Sequence, residues 1–393
     1  MPSRPARVSR RSAVEPFHVM EVLKAAAERQ RTHGDVLMLC AGQPSTPAPA
    51  PAVRAAVEAA TSQVLGYTES IGILPLREAI ARHHRELSDI EVDPDEVLVF
   101  PGSSGAFTAL FLAAFDAGDT VVMARPGYPA YRNTLQALGV RVHEVDCGPQ
   151  TRYQPTVAML EDLAAESGPP AGLIVASPAN PTGTVIDADE LAALARWCEE
   201  HGTLLVSDEI YHGLTYGRPT ASAWETSREA VVVGSVSKYF SMTGWRVGWL
   251  LAPASLRRPL EVLTGNLNIC PPGISQHAAL GAFTAEARAE LEGHRERYAA
   301  TRELLVARLP EVGLRMDAPP DGAFYAWCDV GHLTDDSVAW CQDLLADCGV
   351  AITPGVDFDT ANGHRMVRLS FAGSTAEVAE ALDRMAASSL LRA

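Results

Sequence analysis

No stretch of this sequence approaches the ~18 continuous apolar residues that a membrane-spanning helix needs, so no membrane partner is expected. No two of its seven cysteines form a C-x-x-C pair. They are odd in number and scattered from Cys40 to Cys348, which argues against a disulfide framework or a zinc site and for reduced thiols in a cytoplasmic protein. Basic charge is in short supply. Against 48 Asp and Glu stand 32 Lys and Arg, a formal net charge of −16 that makes nucleic acid an unsuitable main partner. The basic residues that do cluster lie at the start, in MPSRPARVSRR; with no apolar run behind them they read as a short arm, not a signal peptide. The adjacent pair His83–His84 falls in a charged helical stretch, and no metal site is expected there.

What remains is an ordinary soluble composition, 47% apolar and 20% charged, in a chain of 393 residues that is long enough for two lobes and a large core. No internal repeat is present, and the one low-complexity stretch, QPSTPAPAPAV at 43–53, reads as an extended connector running into a helix. Between about 97 and 251, the short runs VLVF, TVVMA, RVHEV, LIVAS, TLLVSDE, VVVG and VGWLLA alternate with helical patterns such as GAFTALFLAAF and DELAALARWCEEHG. Strands apolar on both faces and separated by helices predict an α/β fold, a mostly parallel seven-stranded sheet between helices. After about 275 the pattern changes to a long charged helix and short strands around GAFYAWCDV, GVAITPG and HRMVRLSF. These predict a smaller α+β domain, made of 1–45 and 276–393, beside a large domain over 46–275.

In doubly wound sheets ligands sit beyond the carboxyl ends of strands, and the chemically suggestive residues fall there repeatedly. LIVASPANPTG leads to Asn180, TLLVSDEIY to Asp208 and Tyr211, and VVVGSVSK to Ser235, Ser237 and Lys238. Singly, each has a plainer reading. Asn-Pro and Thr-Gly are turn chemistry, Asp is a common helix N-cap, and a Ser-rich loop is commonly just solvated. Arg246, in GWRVGW, could stack on a tryptophan, and Arg368, in MVRLSF, could point outward from an alternating strand. Their succession is harder to dismiss: an amide, a carboxylate, a phenol, a lysine and an arginine follow successive strands in this order.

At this point the sequence resembles the class I/II aminotransferases, the fold-type-I enzymes that use pyridoxal 5′-phosphate (PLP). The resemblance spans roughly 35–385 and rests on AGQP, GYTESIGILPLREAI, SPANPTG, SDEIY, SVSKYFSMTGWRVGW and VRLSF, in family order. It implies that Lys238 carries PLP covalently and then moves the proton at the substrate Cα, for which desolvation and nearby positive charge should lower its pKa. It gives Arg246 to the phosphate, with Ser235 and Ser237 assisting and the PGSSGAF turn (Ser103, Ser104, Gly105) supplying a helix N-terminus. Asp208 pairs with the pyridine nitrogen, which makes the ring an electron sink. Tyr211 and Asn180 bond the ring 3′-oxygen, and Tyr128 stacks on the ring. Arg368 clamps the substrate α-carboxylate, with Asn180 and Gly42 beside it. Tyr67 reaches the phosphate of a neighbouring subunit, which implies a homodimer.

The reaction so implied is transfer of an amino group between an amino acid and a 2-oxo acid. A C–S lyase or other PLP chemistry on the same fold is an alternative; a non-enzymatic PLP-binding regulator would need a DNA-binding domain in front, for which the short basic arm is not expected to suffice. Relatives selective for aspartate can hold its side-chain carboxylate with a lysine in the turn where this chain has Ser103. Several stretches also resemble an actinobacterial subgroup whose members carry both aspartate and valine–pyruvate names. The expected donor is therefore neutral and aliphatic, valine or alanine, with pyruvate as partner; aspartate with 2-oxoglutarate is the alternative.

Overall fold

The computed structural model describes residues 7–391; the first six residues of the basic arm and the last two residues lie outside them. After a short 3-10 turn, Arg10–Ser12, come the first α-helix, His18–His33, and strand β1 (Leu37–Met38). Residues 43–49 are non-helical, as the Pro/Ala run predicts, and the helix Ala50–Ser62 follows.

All seven β-branched runs form strands: β2 (Val97–Phe100), β3 (Thr120–Arg125), β4 (Arg141–Asp146), β5 (Gly172–Ala176), β6 (Leu204–Asp208), β7 (Val231–Ser235) and β8 (Gly248–Leu251). They make one sheet in the order β2-β8-β7-β6-β5-β3-β4. Only β8 runs against its neighbours. Every residue of β2, β7 and β8 is buried, because helices cover both faces of the sheet and leave no polar side to alternate with. The covering helices read as amphipathic stripes: Ala188–His201 buries Leu191, Leu194, Ala195 and Cys198 at i, i+3, i+4 and i+7, and ends on Gly202 at φ +67°.

Beyond the sheet come a helix that crosses residues 275 and 276 (Gly273–Ala282) and packs on Ala50–Ser62, and the long charged helix Ala285–Arg308. Strands β9 (Tyr325–Asp329), β11 (Thr353–Pro354) and β12 (Met366–Ser370) form an antiparallel sheet in the order β11-β12-β9. Strand β10 (Val350–Ala351) pairs in parallel with β1, so the N-terminal segment is hydrogen-bonded to the C-terminal part of the chain. No helix among the described residues is long and apolar enough to cross a membrane. His84 is buried and its Nε2 accepts a hydrogen bond from Trp249 Nε1 at 3.0 Å, which gives that histidine a packing role.

Candidate active site

A cavity of about 400 Å³ opens at the carboxyl ends of β5, β6 and β7. Three cationic side chains, Lys238, Arg246 and Arg368, and one carboxylate, Asp208, line it.

Lys238 follows β7, and its Nζ donates to the carbonyl of Gly42 at 2.6 Å, 5.5 Å from the Tyr211 ring centroid. Burial, then Arg368, lowers its pKa to about 8; Arg246 adds to that and Asp208 opposes it. An amine so placed is partly neutral near neutral pH, as a nucleophile or base requires.

Asp208 is the last residue of β6. Its Oδ2 accepts from the Tyr131 hydroxyl and its Oδ1 from the Ile210 N–H at 3.2 Å. Burial nonetheless pushes its pKa up to about 6, against those two bonds and Lys238. Tyr131 has no role in the sequence reading, although it stands three residues after Tyr128 in RPGYPAY. On the helix Pro129–Leu138 this spacing leaves the Tyr128 and Tyr131 rings 5.2 Å apart.

Next to the lining residue Ser103, Gly102 begins the helix Gly102–Ala114 with φ +77°, and a Cβ there would collide with the Arg246 guanidinium. Gly248 likewise leaves room for the backbone N of Ser103. Arg246 holds a left-handed backbone, φ +54°, which costs a non-glycine residue about 1–2 kcal/mol. Its Nη1 donates to Thr243 O at 2.8 Å, and its guanidinium lies against Gly102, the start of the helix. A cation beside the free N–H groups of a helix N-terminus is an anion-binding arrangement.

Arg368 is buried, not the outward-facing residue that strand alternation allows. Nη1 donates to Asn180 Oδ1 at 2.8 Å and Nη2 to Cys40 O at 2.8 Å, while the guanidinium lies 4.4 Å from the Tyr325 ring centroid and 4.7 Å from that of Phe358. Its Nε has no partner among the described residues. The Tyr211 hydroxyl meets that of Tyr325 at 2.8 Å. Tyr325 is a second residue the sequence reading missed; inside GAFYAW it reads as a strand residue only.

The structure therefore brings Gly42, Ser103, Ser104, Tyr128, Asn180, Asp208, Tyr211, Ser237, Lys238, Arg246 and Arg368 around one cavity. Gly105, Ser235 and Tyr67 stand outside its wall. Gly105 lies further along the helix Gly102–Ala114, Ser235 Oγ bonds Ser237 Oγ (2.9 Å) and Val247 O (3.3 Å), and Tyr67 is 81% exposed.

Residues 34–385 match the family model for aminotransferase class I and II. The chain belongs to this family. It is 56% identical over 382 residues to the valine–pyruvate aminotransferase of Mycobacterium tuberculosis, covering 96% of this chain and 97% of that one. To the aspartate/prephenate aminotransferase of Thermus thermophilus it is 35% identical over 383 residues, covering 96% and 98%. A crystal structure of an aminotransferase from M. tuberculosis superposes with a TM-score of 0.95 at 55% identity, over 98% of this chain and 99% of that one. The T. thermophilus aspartate aminotransferase with maleate gives 0.92 at 35% identity, over 98% and 100%. The architecture is that of the fold type I aminotransferases, and the chain is a transaminase. A third feature of this aminotransferase went unread in the sequence: Phe17, Val19, Met20, Leu23 and Met38 give the cavity an apolar wall.

Proposed function

We propose that this aminotransferase uses PLP to move an amino group between a neutral aliphatic amino acid, such as valine or alanine, and a 2-oxo acid such as pyruvate. The observation that carries the reading is the charge balance of the cavity, three cations to one buried carboxylate among the described residues, together with an apolar wall. The donor set fits the cofactor. Arg246 and the N-terminus of Gly102–Ala114 suit a phosphate. The Asp208 carboxylate, held by a phenol and a backbone N–H, suits a protonated ring nitrogen. Lys238 is the amine placed for covalent attachment. Bound there, PLP supplies an aldehyde to carry the amine and a ring that withdraws electrons from Cα.

The chain's own groups do the rest. Arg368, whose Nε–H has no partner among the described residues, binds the α-carboxylate and so fixes the orientation of the bonds at Cα. Lys238, once free, would take the proton from Cα and deliver it to the cofactor's C4′ carbon. Asn180 and Tyr211 hold the groups between them by hydrogen bonds to Arg368 and Tyr325. Among the described residues no cation besides Lys238, Arg246 and Arg368 lines the cavity, and Ser103 is neutral, so a second substrate carboxylate finds no further cation there from its own subunit. The name of the 56%-identical relative agrees with a branched aliphatic donor.

The working unit in this proposal is a homodimer to which Tyr67 contributes across the interface. Its exposure outside its own cavity, beside Leu65 and the 98%-exposed Val64, supports this. The N-terminal segment belongs with the smaller C-terminal lobe, as the β1–β10 pairing suggests, and the unpaired cysteines suit a reducing cytoplasm. The test is a panel of amino donors against pyruvate and 2-oxoglutarate, with sedimentation at assay concentration. Preference for aspartate over valine and alanine would overturn the substrate reading, and a fully active monomer the shared site.

A further inference from the structure

Four of the five residues of the apolar wall, Phe17, Val19, Met20 and Leu23, stand at the start of the helix His18–His33. Val19, Met20 and Leu23 lie on one face of the first turns of His18–His33, where residues three and four apart are neighbours. Phe17 packs edge-on against Tyr128 at 6.1 Å. This helix has no side-chain cap of its own, since Phe17 is its N-cap residue. Its first two N–H groups instead reach across the chain: His18 N donates to Asp357 Oδ1 and Val19 N to Asp357 Oδ2, both at 2.8 Å. A buried carboxylate on two free N–H groups at the positive end of a helix fixes both its position and its direction.

The residues around Asp357 tie the same short turn to the rest of the cavity. The carbonyl of Asp357 accepts from Arg132 Nη2 at 3.1 Å. Phe358 lies under the Arg368 guanidinium, and Asp359 Oδ1 is 3.3 Å from Arg125 Nε. One turn thus touches the helix that carries the wall, the arginine given to the α-carboxylate, and the large sheet.

We propose that Asp357 is a specificity-positioning residue: by capping the helix His18–His33 it sets the distance between the wall and Arg368, and so selects the length and branching of the donor side chain. This rests on the aliphatic-donor reading above. Burying each further methylene is worth about fourfold in kcat/KM, so valine exceeds alanine by about tenfold or more through the wall alone. A wall released from its anchor loses that increment, whereas the smallest donor, which reaches it least, is affected least.

The experiment compares wild type, Asp357→Asn, Asp357→Ala and Leu23→Ala, each as holoenzyme, on alanine, 2-aminobutyrate, valine and aspartate with pyruvate. Asp357→Ala is expected to lower the valine-to-alanine ratio of kcat/KM by about tenfold, with alanine within about threefold of wild type. Leu23→Ala, which leaves the cap intact, should lower the ratio in the same direction, and Asp357→Asn by an intermediate factor. Should Asp357→Ala fail to fold, the other two variants carry the comparison. Equal loss on every donor would place the role of Asp357 at Arg368 and overturn the proposal, as would an unchanged ratio. A wild type that prefers aspartate would instead sink the aliphatic-donor reading, so the two failures are distinct.

Discussion

The bond from Tyr131 to Asp208 offers a direct test of how the chain tunes the carboxylate. Tyr131→Phe removes one hydroxyl and leaves the ring, which packs 4.9 Å from Phe107 and 5.2 Å from Tyr128 by centroid. What is lost is a hydrogen bond that favours the charged form of Asp208, while burial, the force that raises its pKa to about 6, remains. A bond to a charged group is worth about 1.5–3 kcal/mol, which corresponds to about one to two pKa units upward. Near pH 7 wild-type Asp208 is then mostly ionised and the variant's largely protonated. A protonated carboxyl cannot hold a protonated ring nitrogen, so cofactor-free variant should bind PLP weakly at pH 6.5–7 and recover toward pH 9. The assay is PLP affinity from pH 5.5 to 9, read by quenching of protein fluorescence, with kcat of the holoenzyme at pH 6.5 and 8.5. The acid limb should move up by about one to two units, with the kcat deficit smaller at the higher pH. An unmoved limb, or a deficit independent of pH, would refute the reasoning.

Three further outcomes are expected. Borohydride reduction of the PLP-loaded protein should fix the cofactor on Lys238, and Lys238→Ala should abolish transamination; the only other lysine is the exposed Lys24, so peptide mapping has one alternative to exclude. Ser103→Lys should raise aspartate against valine in kcat/KM by about tenfold, because it adds a cation to a wall that now has only a hydroxyl there; no shift in that ratio would remove Ser103 from the specificity argument. Glu209 is buried, and burial raises its pKa to about 8. An acid whose folded pKa exceeds its unfolded value of about 4.3 costs stability as pH rises from the lower value through the higher. The Tm of Glu209→Gln relative to wild type should therefore climb between pH 5 and 8.5, and a difference that stays flat with pH would deny Glu209 that role.

The large sheet was legible because each strand is a short run apolar on both faces, and each cavity residue after a strand is local to it in sequence. Asp208 ends β6, and Lys238 stands three residues past the end of β7. The strongest sign of Lys238 is compositional: with Lys24 it makes up the chain's whole lysine complement. Tyr131 and Tyr325 were illegible for a different reason. Their patterns announce a helix and a strand, and their hydroxyls find Asp208 and Tyr211 only through folding, 77 and 114 positions away. The apolar wall was harder still, since Val19, Met20 and Leu23 show the same spacing as any core-facing helix turn.

That difference bears on where selectivity resides. A relative named for valine–pyruvate and one named for aspartate/prephenate each cover this chain almost end to end, so the architecture by itself does not separate the donors. In the proposed reading, Lys238 and Asp208 at the strand ends, with Arg368 on β12, bind what every amino donor has in common, an amine, an α-carboxylate and the proton between them. Only the remaining lining residues can read the side chain. In the proposed reading that surface is the apolar helix turn capped by a carboxylate 339 residues further along the chain, with the neutral Ser103 also in the cavity wall. Selectivity can therefore change through a few contacts between distant segments while the strand-end groups, and the chemistry they perform, stay as they are.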